Sequence, residues 1–254
     1  MLMALTREVS PSFQDCALTH LNRVPIDLDR ARAQHADYEW ALVEAGCTVR
    51  RLDAGPDLPD SVFIEDAAIV LPEGAIITRP GADSRRAETL VVAAALARHG
   101  LPLREIEAPA TLDGGDVLVI GRSIFIGESD RTNAAGIDQV RKILQRRYKV
   151  HGIPLEGCLH LKSAVTSVAD DTLLINREWV SPTAFKKFTL IDIDPQEPYA
   201  ANALRLPDRL LYPAAFPRTC ERLKNEGLKV RTVDVDELAK AEGAVTCCSL
   251  VFEM

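Results

Sequence analysis

Two short stretches carry the residue types of nucleophilic catalysis: His160-Leu-Lys-Ser163 and, near the C-terminus, Thr246-Cys-Cys-Ser249. Two acidic clusters accompany them, Asp60-Ser-Val-Phe-Ile-Glu65-Asp66 and Leu112-Asp113-Gly-Gly-Asp116. A thiol attacks well once deprotonated, an imidazole can move a proton to or from a leaving group, and carboxylates can hold a cation. Together they suit covalent attack on a cationic substrate. Because these residues lie far apart in the chain, the fold must bring distant loops to one place.

Each residue also has a plainer reading. An unpaired cysteine is most often a small buried hydrophobe. Of two adjacent cysteines near a strand, one can be core while the other faces a site, because successive side chains point to opposite faces. His160 could be a satisfied core or surface imidazole; as a general acid it needs a partner to orient it, and Asp113 is the candidate. Asp113-Gly-Gly-Asp116 reads either as a plain tight turn or as a place where backbone approaches a ligand, with Asp113 or Asp116 facing the site. Arg85 and Arg131 follow Asp83-Ser84 and Ser129-Asp130 at two predicted helix starts. A cation there opposes the helix dipole, and the repetition suggests that both bind a carboxylate.

The elements that must position these groups recur about five times. Predicted helices begin at Asp29, at Asp83, near Ser129, near Ser181 and near Pro217; Gly46, Gly100 and Gly227 act as stops. In the second, Ala87, Leu90, Val91 and Ala94 form the predicted apolar stripe. Each helix leads through a short strand, such as Thr48–Leu52 or Val230–Asp234, to one polar motif. Strand pairs such as Ala67–Leu71 with Ala75–Thr78, and Val117–Ile120 with Ser123–Ile126, precede the next helix. The unit is strand, strand, helix, strand, and the last strands must pair with the start of the chain. Five units arranged radially give an α/β ring with every motif at the shared axis. An open α/β sheet fits less well, because a strand pair rather than a single strand precedes each helix. No linker divides the chain, so residues 1–254 are expected to form a single domain.

The bulk properties agree. The 254 residues are 47% hydrophobic and carry a net charge of −7, which argues against nucleic acid as a partner. Leu90–Ala97, the longest apolar run, is too short to span a bilayer, so no membrane partner is expected. The start lacks the basic-then-apolar layout of a secretory signal. Six scattered cysteines do not look like a disulfide framework, and a cytoplasmic location is expected. No Cys-x-x-Cys or His-x-x-x-His spacing supports a zinc site, so neither metal nor cofactor is expected.

As a set, Phe63-Ile-Glu-Asp66, Thr78–Arg86, Leu112–Val117, His160–Ser163, Tyr199-Ala-Ala-Asn202 and Thr246–Ser249 resemble dimethylarginine dimethylaminohydrolases, in order and over nearly the whole chain. The resemblance implies a five-bladed α/β propeller, the pentein fold of guanidine-modifying enzymes. It implies Cys247 as nucleophile, His160 as acid/base and Asp113 as its orienting partner; some relatives have Glu at that last position. Glu65 and Asp66 would hold the guanidinium side, with Asp60 and Arg131 helping to place the amino-acid end, Arg85 lining the site and Phe63 also binding substrate. Leu21 would sit on a mobile lid, and a carbonyl near Ala241 would take the α-amino group. The implied partner is a methylated arginine, converted to citrulline and an amine by a monomer or homodimer.

Two relatives and one different class stand beside this reading. Arginine deiminases typically carry Asp two residues after the histidine, where this chain has Lys162. Loss of that acceptor removes a reward for unsubstituted arginine. Amidinotransferases are only weakly excluded. A silent binding protein for arginine-like ligands would have no need of the thiol.

Overall fold

The computed structural model describes residues 1–254. The chain runs through β1 (Leu2–Arg7), α1 (Leu28–Glu44) and β2 (Thr48–Leu52), then β3 (Ala68–Leu71), β4 (Gly74–Ile77), α2 (Glu88–Arg98) and β5 (Leu103–Glu105). It continues through β6 (Val117–Ile120), β7 (Ser123–Glu128), α3 (Ala134–Leu144) and β8 (Lys149–Pro154). The short α4 (Leu161–Ala164) precedes β9 (Val165–Ser167), β10 (Thr172–Ile175) and β11 (Thr189–Asp192). Then come β12 (Leu204–Arg205), β13 (Leu210–Pro213), α5 (Pro217–Asn225), β14 (Val230–Val233), α6 (Asp236–Ala239) and β15 (Leu250–Glu253).

Fifteen strands form five three-stranded sheets with one repeated plan. The first strand of each is antiparallel to the second, and the second is parallel to the third, as in β3-β4-β5 and β6-β7-β8. The parallel pair is joined by a crossover, as parallel strands require, which carries an α-helix in four of the five blades. The ring closes where the last strand joins the first: Leu2 pairs with Glu253 and Leu5 with Leu250, while β1 runs parallel to β2 on its other side. The architecture is a five-bladed α/β propeller. Five hydrophobic clusters fill the spaces between helices and sheets, the largest gathering Tyr38, Ala41 and Leu42 of α1 with Phe13, Phe63, Val245 and Cys248. No helix is long and apolar enough to cross a membrane.

Three expectations need correction. The stripe Ala87, Leu90, Val91, Ala94 faces outward; α2 buries Glu88, Thr89, Val92, Ala95 and Leu96 instead. In a run as apolar as Leu90–Ala97 spacing alone does not choose a face, and the ion pair that draws Glu88 inward to Arg85 does. The fourth unit has only a 3-10 turn, Pro182–Phe185, where a helix was expected. Finally, neither arginine lies in the first turn of an α-helix: Arg85 ends the 3-10 turn Asp83–Arg85, and Arg131 precedes Asn133, the N-cap of α3. The dipole conflict therefore does not arise.

Candidate active site

Each blade presents a turn immediately before its first strand, and these turns carry the chemistry. The 3-10 turn Ile64–Ala67 holds Glu65 and Asp66, and Gly114–Asp116 follows Asp113. His160 caps α4, Asn202 precedes β12, and Cys247 lies in the turn before β15. Five equivalent places in the repeat thus converge, and hydrogen bonds lock neighbouring turns together. Glu65 N donates to Cys247 O at 3.1 Å, Gly115 N to an Asp66 oxygen at 2.8 Å, and Thr246 N to Asn202 Oδ1 at 3.1 Å. The Gly-Gly pair is required by contact: a Cβ on Gly114 would fall 1.9 Å from Glu65 O, and one on Gly115 would fall 2.5 Å from His160 Nδ1.

A small cavity, with a volume of about 10 Å³, lies at the convergence, bounded by Asp60, Phe63, Asp66, Arg85, Arg131, His160, Ala241 and Cys247, among others. The sequence-predicted residues outside this boundary are Asp113, Glu65 and Leu21. Asp113 lies behind His160, its Oδ2 3.1 Å from His160 Nε2, with Gly81 N on its other oxygen at 2.9 Å. Glu65 accepts from Lys162 Nζ at 2.5 Å and Thr246 Oγ1 at 2.9 Å. Leu21 borders a larger, mainly apolar neighbouring cavity instead, with Trp179, Tyr199 and Phe216. The two cavities share Leu159, Glu242 and Gly243 as walls.

The arginines already have partners in the protein. Arg85 donates to Asp66 at 2.6 Å and to Glu88 at 2.9 Å, so the carboxylates it binds are its own neighbours. Arg131 donates to Thr19 Oγ1 at 3.1 Å, and its closest carboxylate, Asp113, is 3.6 Å away. Asp60 accepts the N–H of Ala17 at 3.1 Å.

Protonation follows from these contacts. Burial opposes charge on His160, but Asp66, the hydrogen bond to Asp113 and the nearby Asp116 outweigh it and raise the imidazole to about 9. Burial likewise opposes charge on Asp66, yet His160, Arg85 and the Gly115 N–H hold its carboxyl well below the usual range. Burial pushes the Cys247 thiol up to about 12, with Glu65 and Asp66 adding repulsion. At neutral pH the free site therefore holds a neutral thiol beside an imidazolium. Cys248 is fully buried in the largest core cluster, whereas Cys247 is half-buried at the cavity, so the adjacent pair does divide between core and site. All six cysteines are unpaired thiols.

Donor atoms of Asp66, Asp113 and His160 lie within 4.8 Å of one another, close enough for one cation to bridge. The imidazole is protonated at neutral pH, which works against metal ligation there.

Sequence reasoning gave Asp116 only as an alternative to Asp113 and missed Glu242. Asp116 accepts from Leu161 N, next to His160, at 2.9 Å and from Ser129 Oγ at 2.6 Å. Ser129 Oγ in turn accepts the N–H groups of Arg131 and Thr132, so Asp116 ties the His160 turn to the Arg131 loop. Glu242 accepts from the backbone of Thr19, His20 and Leu21. The second Asp of the Gly-Gly turn was a signal for Asp116; nothing local in the sequence marked Glu242.

A ring of five α/β blades with a thiol, an imidazole and carboxylates at its axis defines a class, the guanidine-modifying propellers, and a family model for arginine deiminase matches residues 55–205. The dimethylarginine dimethylaminohydrolase of Streptomyces coelicolor is 41% identical over 249 residues, covering 97% of this chain and 95% of the relative. A solved structure of the Pseudomonas aeruginosa enzyme, a cysteine-to-serine variant with citrulline, is 37% identical with a TM-score of 0.94, over 98% of both chains. A histidine-to-glycine variant of a dimethylarginine dimethylaminohydrolase, in an adduct with S-methyl-L-thiocitrulline, is 36% identical with a TM-score of 0.93, over 99% of this chain and 100% of that one. This chain belongs to the dimethylarginine dimethylaminohydrolase family.

Proposed function

We propose that the protein hydrolyses Nω-methylated arginines, asymmetric dimethylarginine and monomethylarginine, to citrulline with release of dimethylamine or methylamine. The observation that carries this reading is the placement of Cys247 and His160 on one small cavity whose wall also holds Asp60, Asp66 and Arg131. It is supported by relatives of that name and by the citrulline bound to one of them.

Cys247 is the nucleophile, His160 the acid and base, and Asp113 the group that orients His160. The substrate guanidinium lies toward Phe63 and Asp66, with the charge of Glu65 behind it. Asp60 and the carbonyl of Ala241 take the α-amino group. Arg131, which has no carboxylate closer than 3.6 Å, takes the α-carboxylate. Arg85 forms the wall and fixes Asp66, while Leu21 belongs to the covering loop.

The chemistry follows from the protonation states. Burial, with Glu65 and Asp66, keeps the free thiol neutral, so a bound guanidinium, by offsetting their charge, lowers its pKa; because His160 is already protonated, the thiol proton leaves to solvent. The thiolate forms a bond to the guanidinium carbon. As the bond from that carbon to the dimethylamino nitrogen breaks, His160 supplies the proton that lets dimethylamine leave. Water then attacks the S-alkylthiouronium carbon and gives a proton to His160. As the C–S bond breaks, the proton left on the new C–OH passes to the departing sulfur, so citrulline leaves with its carbonyl formed and the Cys247 thiol is restored.

Lys162 favours the methylated substrate: it occupies Glu65 at 2.5 Å, at a place where an acceptor would reward the second amino group of arginine. All five blades contribute to this cavity or its supports, which fits a single catalytic domain, and six free thiols fit a reducing compartment such as the cytoplasm.

The test is product analysis with asymmetric dimethylarginine and, separately, arginine. Citrulline and dimethylamine from the first, with little ammonia from the second, are expected. Efficient release of ammonia from arginine would contradict the proposal.

A further inference from the structure

Three of the hydrogen bonds that fasten the loop over the cavity end on one side chain. The Glu242 carboxylate accepts three successive backbone N–H groups, from Thr19 at 2.9 Å, His20 at 2.5 Å and Leu21 at 2.7 Å. Successive amides turned toward one anion form a concave donor site, and each bond is strengthened by the carboxylate charge. The same loop touches the site twice more: Ala17 N donates to Asp60, and Thr19 Oγ1 accepts from Arg131.

Glu242 occupies a backbone position that does not suit it. α6 closes with Gly243 N on Leu238 O at 3.1 Å and Glu242 N on Ala239 O at 3.0 Å, the two bonds of a Schellman motif. Glu242 stands at the left-handed position of that motif with φ +61°, where glycine is usual because a Cβ is strained. Glutamate in a glycine position indicates that its side chain is needed. Its place on the wall shared by the two cavities indicates for what.

We propose that Glu242 is the latch of the active-site lid, a positioning residue that holds residues 17–21 over the catalytic cavity and controls exchange with the larger apolar one. Release of the latch frees His20 and Leu21, which border the larger cavity, and loosens the contacts of the loop to Asp60 and Arg131. The kinetic consequence rests on the proposed substrate; the lid itself does not.

The experiment compares Glu242→Gly and Glu242→Gln in the full chain with Trp40 changed to Phe. Trp179, on the larger cavity, is then the only indole, because the chain has two tryptophans. Trypsin cleavage after the exposed Arg23 and acrylamide quenching of Trp179 report lid opening. Glu242→Gly is expected to accelerate cleavage at Arg23 about fivefold or more and to increase quenching, because closed lid is lost while the fold persists. Its melting temperature should hold or rise, since glycine relieves the strained φ. KM for asymmetric dimethylarginine should rise about tenfold with kcat changed less than about threefold, the split of a binding rather than a chemical defect. Glu242→Gln, keeping one acceptor oxygen, should fall between. Wild-type cleavage, quenching and KM in a folded Glu242→Gly protein would overturn the latch. So would a fall in melting temperature with cleavage spread over all basic sites. Should the parent protein turn over no methylarginine, the proposed function fails, while cleavage and quenching still decide the latch.

Discussion

The two ends of the catalytic cavity are built on different principles. At the end holding His160, the turns of successive blades interlock: Asp66, Arg85, Asp113 and His160 are all buried with each charge facing an opposite one, and buried Asp116 is held by Leu161 N and Ser129 Oγ. At the other end the wall is a loop, with Thr19 and His20 exposed, held by hydrogen bonds to Glu242, Asp60 and Arg131. A charge removed from the first end leaves a buried partner uncompensated. A contact removed from the second is largely replaced by water. The chemistry is thus placed on rigid elements, and access on an adjustable one.

Mutations separate the two ends, and the largest effect is expected at the proposed nucleophile. Cys247→Ser should lower turnover about ten-thousandfold or more while the protein stays folded, since covalent attack is lost without a packing change. Retained stabilisation by citrulline in a thermal melt checks the second part. Asp66→Asn, measured by urea unfolding, should cost about 3 kcal/mol or more, because Arg85 and His160 lose a buried counter-charge. A loss below about 1 kcal/mol would erase the contrast between the ends.

Proton linkage sharpens it. His160 has a folded-state pKa of about 9 against 6.5 for the free side chain. Its stabilisation is therefore full below pH 6.5 and disappears as pH rises through 9, amounting to roughly 3 kcal/mol. The difference in unfolding free energy between wild type and His160→Gln should shrink by that amount across this window. Asp116, raised by burial to about 6, titrates below it and acts in a separate range. The smallest effect is expected at the lid. Arg23→Ala removes bonds from an exposed side chain to the carbonyls of Gln14 and Cys16 and should cost less than about 1 kcal/mol.

The propeller was legible because its signals are local and repeated. Gly46, Gly100 and Gly227 have the positive φ of helix stops, and the predicted strand Thr48–Leu52 coincides with β2. Recurrence supplied what no single unit could. Where local signal was degenerate, reading failed: the apolar length of α2 does not show which side packs, and the fourth unit starts like a helix but ends after one turn. In the site, residue types announced a thiol and an imidazole, whereas partners were not readable. The pairing of Arg85 with Asp66 is made inside one blade, whereas those of Lys162 with Glu65 and of Glu242 with the lid are products of ring closure, which brings residues up to 223 positions apart into contact.

The most direct test of the covalent route is rapid acid quench of the enzyme during turnover of asymmetric dimethylarginine, followed by digestion and mass analysis. Trypsin leaves Ala241–Met254 as one peptide containing both Cys247 and Cys248, and fragmentation distinguishes them. An S-alkylthiouronium adduct on Cys247, equal to substrate less dimethylamine, is the expected result. Turnover without any adduct on that peptide, and undiminished in Cys247→Ser, would contradict Cys247 as nucleophile.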